Sequence, residues 1–117
     1  MNYYVDVILP LPLKGTFTYE LSQDEFNKLE IGFRVAVSFG KRKVYTGIVN
    51  ELHNSKPKSY ETKPIEFIYD DKSLVSQNQI DFWNWLSRYY FVPIGDVMNA
   101  AVPSTFLLES DSLIIKK

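Results

Sequence analysis

Hydrophobic and polar residues alternate through much of the amino-terminal half of the chain, which is the pattern of strands that bury one face and expose the other. The alternation predicts five short strands, which span residues 3–9, 16–21, 33–39, 44–51 and 65–69. Pro10 and Pro12 follow the first strand, and since proline has no amide hydrogen, strand pairing is expected to end there. Gly47 interrupts the fourth strand and indicates a bulge or the close approach of another backbone.

Two polar segments separate these strands. Residues 22–30 contain Phe26 and Leu29 three positions apart, which suits a helical turn or an irregular loop. Residues 53–63 are the longest stretch of low hydrophobicity, and we interpret them as a loop. His53 is the single histidine of the chain, and in such a loop it is expected to be an exposed imidazole rather than a metal ligand.

After the acidic turn that follows the fifth strand, the hydrophobic period lengthens to about 3.6 residues, which is the period of an α-helix. Ser76 and Gln79 fit a capping box, and Val75 and Ile80 are placed as its hydrophobic staple. This pattern predicts a helix that begins at Gln77.

The predicted helix should end before Pro93, because a proline disfavours helical backbone at the residue before it. Its large apolar residues cover a broad face, so it is expected to be mostly buried. Tyr89, Tyr90 and Phe91 are accordingly expected in the core of a helical subdomain. A second short helix is predicted at residues 95–101.

These elements predict a mainly β fold of the α+β class: a small, open, OB-like β-barrel with a short helical subdomain on its carboxy-terminal side. The barrel is assigned to residues 1–72, the helical subdomain to 73–104 and a tail to 105–117. The tail is more apolar than a flexible terminus, which leads us to expect that the natural chain continues beyond it.

Composition narrows the classes of function. The chain is 45% hydrophobic, as a packed core requires, and its 15% aromatic content can fill a small core or provide stacking platforms for bases. Because it has no cysteine, disulfides and thiolate metal ligands are excluded. A net charge of −1 argues against a protein that coats duplex nucleic acid, so any such contact should be local. No secretory or membrane-length apolar run is present, and we expect a cytoplasmic protein.

The sequence has none of the common catalytic or nucleotide-binding motifs, which are GxxxxGK[ST], GxGxxG after a strand, HExxH and GxSxG. Asp70 and Asp71 are adjacent carboxylates in a predicted turn, where solvation makes them poor acid–base catalysts. We therefore expect no catalysis, no cofactor and no metal within this segment.

The turn after the third strand combines a glycine with positive charge. Phe39 and Gly40 precede Lys41, Arg42 and Lys43. Glycine lets the backbone approach a ligand closely, and the three cations favour a phosphate-bearing partner. The alternative is an ordinary solvated hairpin tip.

Four segments in order resemble the amino-terminal DNA-binding domain of the PriA family, the primosomal N′ helicases that restart stalled bacterial replication forks. They are VILPLPLKGTFTYEL, GFRVAVSFGKRKVYTGIV, KPIEFIYD and RYYFVPIGDVMNAAVP, and they cover nearly the whole chain. The resemblance implies sequence-independent binding of the 3′-terminal nucleotide of a nascent leading strand.

The resemblance also implies which residues form the pocket: Phe17, Thr18, Phe39, Gly40 and Lys63. It implies that Phe17 stacks on a base, that main chain at Gly40 approaches the nucleotide and that Lys63 meets a phosphate. The three cations of the basic turn would steer the DNA backbone.

Thr18 departs from the family pattern, which often has aspartate at this position. A carboxylate accepts a hydrogen bond from a 3′-hydroxyl with charge assistance, whereas a neutral hydroxyl makes a bond roughly half as strong. Other site residues have structural interpretations too: Phe17 as core, Gly40 as a turn that needs positive φ, and Lys63 as ordinary surface charge.

By resemblance, the segment is the non-catalytic first module of an ATP-dependent 3′-to-5′ DNA helicase, whose ATP, magnesium and zinc sites lie outside these residues. The tail would lead into the helicase regions. The partners it implies are single-stranded and forked DNA, single-strand DNA-binding protein and other primosome proteins, with no membrane. Two alternatives stay open: a barrel that binds a protein or peptide in an aromatic groove, and a small RNA-binding barrel.

Overall fold

A computed structural model describes residues 2–13, 15–40, 43–58, 60–69 and 75–102. Within these residues the chain forms strands β1 (Tyr3–Ile8), β2 (Phe17–Leu21), β3 (Arg34–Ser38), β4 (Val44–His53) and β5 (Phe67–Ile68), and helices α1 (Gln23–Lys28), α2 (Gln77–Tyr90) and α3 (Ile94–Ala101). The predicted mainly β fold with helices at its carboxy-terminal side is confirmed.

The strands form one antiparallel sheet in the order β2-β1-β4-β3-β5. The segment that leads into β5 forms hydrogen bonds to β2, at one edge of this sheet, and to β3, near the other edge. The amide of Glu20 in β2 donates to the carbonyl of Lys63 at 2.9 Å, and the amide of Glu66 donates to the carbonyl of Ala36 in β3 at 2.8 Å. The sheet therefore curls into the open barrel that the sequence predicted.

Two hydrophobic cores lie on opposite faces of the sheet, because neighbouring side chains of a strand point in opposite directions. The barrel interior contains Val5, Val7, Leu9, Tyr19, Leu21, Leu29, Phe33, Val35, Val37, Val49 and Ile65. The outer core, where the helices pack, contains Ile8, Ile48, Val75, Ile80, Trp83, Ile94, Met98 and Val102.

Gly47 lies where β4 passes close to the end of β1. A β-carbon there would clash with Val7 Cγ1 and lie 2.9 Å from the carbonyl oxygen of Ile8, so the predicted close approach is confirmed. The bulge lies three residues later, since the β1–β4 register shifts between Asp6 and Val7 and leaves Asn50 as an extra residue.

Residues 22–30, for which the sequence predicted a helical turn or an irregular loop, contain the six-residue helix α1. Ser22 caps it by accepting from the amide of Glu25, while the Glu25 side chain accepts from the amide of Ser22. This capping box compensates for the shortness of the helix.

Helix α2 begins at Gln77 behind the capping box of Ser76 and Gln79, as predicted. The expectation that it is mostly buried is wrong, because only Ile80 and Trp83 are buried along its length. The sheet and α3 cover one stripe of the helix, and its other aromatic residues face outward.

The residues expected in the helical core are the clearest case of this error. Tyr89 and Tyr90 are each 61% exposed, and Phe91 is 94% exposed. Phe91 ends α2 in a left-handed conformation, with φ 58°, which turns the chain toward α3.

The fifth strand is also shorter than predicted. The strand itself contains Phe67 and Ile68, and Phe67 is exposed while Ile68 packs against the barrel interior. The segment changes partner between β2 and β3, which interrupts the regular alternation of faces. Among the described helices, none is long and apolar enough to cross a membrane.

Candidate functional site

A depression of about 240 Å³ opens at the end of the barrel where β2 begins, β3 ends and the segment before β5 passes. All five residues that the sequence placed at the site line it: Phe17, Thr18, Phe39, Gly40 and Lys63. Tyr19, Ser38, Tyr60 and Glu61 complete the wall. The barrel thus brings together residues that are up to 46 positions apart, from 17 to 63.

Three aromatic rings form one side of the depression. The rings of Phe17 and Phe39 meet edge to face, with centroids 4.8 Å apart and planes at 70°. The Tyr60 ring lies 6.1 Å from that of Phe17 at 45°. Phe17 is half-buried and packs partly against the barrel interior, so it is neither sealed in the core nor fully in solvent.

Tyr60 is a wall residue that the sequence analysis missed. Its hydroxyl oxygen accepts a hydrogen bond at 2.8 Å from the amide of Thr18, which lies 42 positions away in the sequence. One signal could have identified it, since Tyr60 is the only aromatic residue in the polar segment 53–63. That segment lies beside the pocket because its end pairs with β2.

Tyr19 and Ser38 join β2 to β3 across the mouth of the barrel. The Tyr19 hydroxyl donates to the carbonyl of Ser38 at 2.8 Å. Burial raises the pKa of the Tyr19 phenol well above its usual range, and the nearby Tyr60 phenol adds to the shift. Tyr19 is therefore a neutral hydrogen-bond donor at physiological pH.

Gly40 adopts a φ of 72°, which favours glycine over residues with a side chain. Apart from its chain neighbours, no heavy atom of a described residue lies within 4 Å of where its β-carbon would be, so the described part of the chain leaves the space beside this backbone open. The turn closes through the amide of Phe39, which donates to the carbonyl of Lys43 at 3.0 Å. Both interpretations of this glycine, a positive-φ turn and an accessible backbone, agree with its geometry.

Positive charge at the site comes from exposed lysines. The backbone of Lys63 is held on β2 by the hydrogen bond from Glu20, and its side chain is exposed. Lys43 is also exposed. It follows the lining residue Gly40 by three positions but does not line the depression itself. Lys41 and Arg42, the other two cations predicted to steer DNA, lie outside the described residues.

Thr18 is half-buried, and its hydroxyl already has a partner. It donates to Asp6 Oδ1 at 2.6 Å, directly across the β1–β2 pair. His53 Nε2 lies 2.8 Å from the same carboxylate oxygen. The expectation that His53 is an exposed loop residue is wrong, because β4 extends to His53 and leaves its side chain 21% exposed.

One family model and several known proteins are similar to this chain. The family model of the PriA 3′DNA-binding domain (3′BD) matches residues 6–103. The chain is 30% identical over 113 residues to the replication restart protein PriA of Buchnera aphidicola subsp. Acyrthosiphon pisum, covering 97% of the chain and 15% of that protein.

Two other organisms have similar proteins of the same name. Identity to the replication restart protein PriA of Treponema pallidum is 25% over 108 residues, covering 89% of the chain and 16% of the relative. Identity to the replication restart protein PriA of Haemophilus influenzae is 31% over 99 residues, covering 85% of the chain and 13% of the relative. The chain spans a small part, 13–16%, of the length of these curated relatives.

Proposed function

The chain belongs to the family of PriA 3′ DNA-binding domains, and from this premise we propose that its depression captures the 3′-terminal nucleotide of a single-stranded DNA. One observation carries the proposal. Five residues implied by the family resemblance, taken from three separate stretches of sequence, line a single depression of about 240 Å³. This is below the roughly 300–1,000 Å³ of clefts that enclose drug-sized ligands, so the depression would receive part of a terminal nucleotide and leave the rest of the strand in solvent.

The aromatic wall accounts for tolerance of any base. Phe17 is half-buried, and its edge-to-face contact with Phe39 holds it in place at the rim. A terminal base stacks on this ring, and because every base has a flat π face, the contact does not depend on sequence. Stacking of this kind contributes about 1–3 kcal/mol per base.

Main chain and lysines account for the sugar and the phosphate. The open space beside Gly40 allows backbone to approach the nucleotide closely. Lys63 meets the phosphate as a point charge, and Lys43 adds to the local positive potential. These contacts position the strand end and read no base.

In the cell, the proposed ligand is the 3′ end of the nascent leading strand at a stalled fork. The chain is then the amino-terminal, non-catalytic module of a replication-restart helicase. ATP hydrolysis with magnesium, and zinc binding, belong to other regions of that protein. Single-strand DNA-binding protein and primosome components are its proposed partners in the cytoplasm.

Fluorescence anisotropy with labelled oligonucleotides tests the proposal. Short single strands with a free 3′-hydroxyl should bind, whereas strands that end in a 3′-phosphate and a circular single strand of equal length should bind more weakly. Equal affinity for circular and linear strands would overturn end recognition. A preference for RNA over DNA of the same sequence would favour the RNA-binding alternative.

A further inference from the structure

The side chains of Asp6, Thr18 and His53 meet next to the wall of the depression. Asp6 in β1 lies directly opposite Thr18 in β2, so both side chains point to the same face of the sheet. Asp6 Oδ1 is 2.6 Å from the Thr18 hydroxyl and 2.8 Å from His53 Nε2. The side chains of Asp6 and His53 are only 20% and 21% exposed.

The hydrogen bonds around His53 define which nitrogen carries the proton. The backbone amide of Ser55 lies 3.0 Å from His53 Nδ1, and an amide nitrogen can only donate. Nδ1 is therefore the acceptor, and Nε2 carries the hydrogen that is donated to Asp6. The carboxylate of Asp6 thus accepts two hydrogen bonds on one oxygen, from His53 and from Thr18.

This arrangement determines what Thr18 can offer to a ligand. A threonine hydroxyl has one hydrogen, and here that hydrogen is donated to Asp6. The remaining lone pairs can only accept, and donation to a carboxylate polarises the hydroxyl and strengthens it as an acceptor.

We propose that Asp6, held by His53, is a positioning residue that makes Thr18 an acceptor for the terminal sugar hydroxyl, so that the site selects a free 3′-hydroxyl. This inference rests on the proposed function. A hydroxyl donor matches the lone pairs of Thr18, whereas a 3′-phosphate brings only acceptors and negative charge toward Thr18 and Asp6. The negative charge that an aspartate at position 18 would supply comes instead from the adjacent strand.

The test uses the whole chain and labelled oligothymidylates that end in a 3′-hydroxyl, a 3′-deoxy sugar or a 3′-phosphate. The wild-type chain should bind the hydroxyl end about tenfold more tightly than the deoxy end, which is the upper end of the range for one hydrogen bond between neutral groups, because Asp6 polarises the Thr18 hydroxyl. Thr18→Val should reduce this ratio to near one, and Asp6→Asn should reduce it several-fold. The ratio, rather than the affinity itself, reports selectivity, because a purely structural defect would weaken both ends equally.

Two further variants sharpen the result. Thr62→Val is a matched control, since Thr62 also donates to a carboxylate, Glu20 at 2.8 Å, but lies outside the lining of the depression. It should leave the ratio unchanged. Asp6→Asn combined with Thr18→Asp moves the carboxylate to the wall without placing two like charges together, and it should restore the ratio.

The outcomes separate the two proposals. If the wild-type chain does not distinguish strand ends from circular strands, the proposed function fails. If it binds ends and prefers the 3′-hydroxyl, but Thr18→Val or Asp6→Asn keeps that preference, the role of Asp6 is overturned. Thermal melting identifies variants that do not fold, and if Asp6→Asn is one of them, His53→Phe, which removes the donor that holds Asp6, takes its place: a retained ratio overturns the role of Asp6.

Discussion

Phe17 is the residue at which packing and ligand binding can be separated by measurement. It is the first residue of edge strand β2, half-buried, with one side against the barrel interior and the other toward the depression. A phenylalanine fully inside a core would have no surface to offer a base. Its position at the end of the strand allows both roles.

We expect Phe17→Ala to weaken 3′-end binding by about 1–3 kcal/mol, the value of one stacked base. Stability should fall by less than the roughly 3–5 kcal/mol that a fully buried phenylalanine loses. Anisotropy and chemical unfolding measure the two quantities. Phe82→Ala removes an exposed ring outside the depression and serves as the control that should leave DNA affinity unchanged.

Tyr19 predicts a pH dependence of stability. Burial raises its pKa in the folded chain, so its contribution to stability is complete below the unfolded value of about 10 and is lost as the pH rises above that value. The free energy of unfolding should therefore decline in alkaline solution, and Tyr19→Phe should reduce that decline. Tyr89→Phe, which changes an exposed phenol, should not.

At the level of elements, Gly95 holds α3 against the chain that follows β1. A β-carbon at Gly95 would clash with the carbonyl oxygens of Leu9 and Leu11 and lie 2.9 Å from the amide nitrogen of Leu11. All three are backbone atoms, which cannot rotate away. The proline-punctuated segment after β1 is thus a docking surface for α3.

Gly95→Ala should destabilise the chain by about 1–3 kcal/mol, the cost of overpacking against a rigid neighbour. The sign is diagnostic, because replacing a helical glycine by alanine at an uncrowded site stabilises a helix by roughly 1 kcal/mol. Urea unfolding measures the change. A stabilised variant would contradict the close contact between α3 and the segment after β1.

The cap of α2 illustrates what local sequence predicts well. Ser76 and Gln79 form both hydrogen bonds of the capping box, and α2 begins where the spacing placed it. Strand positions were similarly predictable from alternation. Capping boxes and strand alternation depend on residues a few positions apart, so they can be predicted from the sequence without knowledge of the fold.

At the scale of the whole molecule, charge distinguishes capture of a strand end from coating of DNA. The net charge is −1, so the chain as a whole does not attract phosphates, and attraction has to come from local cations such as Lys63 at the depression. Each neutralised phosphate of a single strand contributes about −0.7 to the slope of log affinity against log salt. A chain that holds one strand end should show a shallow slope.

Lys63→Ala should therefore make this slope less negative by about 0.7 while weakening all sequences equally. Titration of one labelled oligonucleotide at several salt concentrations gives the slope. Lys28→Ala removes an exposed cation at the end of α1, outside the depression, and should leave the slope unchanged. An unchanged slope in Lys63→Ala would remove this lysine from the proposed phosphate contact.

The exposed face of α2 is a property of the molecule that local pattern could not determine. The rings of Phe82, Trp85 and Tyr89 stack along it, with centroids 6.1 Å and 4.9 Å apart. The spacing of these residues suits a buried helix, and the hydrophobic pattern therefore predicted that α2 is mostly buried. Whether such a face is covered depends on how much neighbouring surface the sheet and α3 supply.

The sequence by itself determined the positions of the first four strands, the start and end of α2, the mainly β class and, through family resemblance, five residues of the candidate site. Only the tertiary structure decided that those residues share one depression, that Tyr60 joins them and that Asp6, Thr18 and His53 meet. The physical reason is distance along the chain. Patterning reports neighbours within a few residues, whereas barrel closure brings together Thr18 with Tyr60 and Asp6 with His53, pairs that are 42 and 47 positions apart.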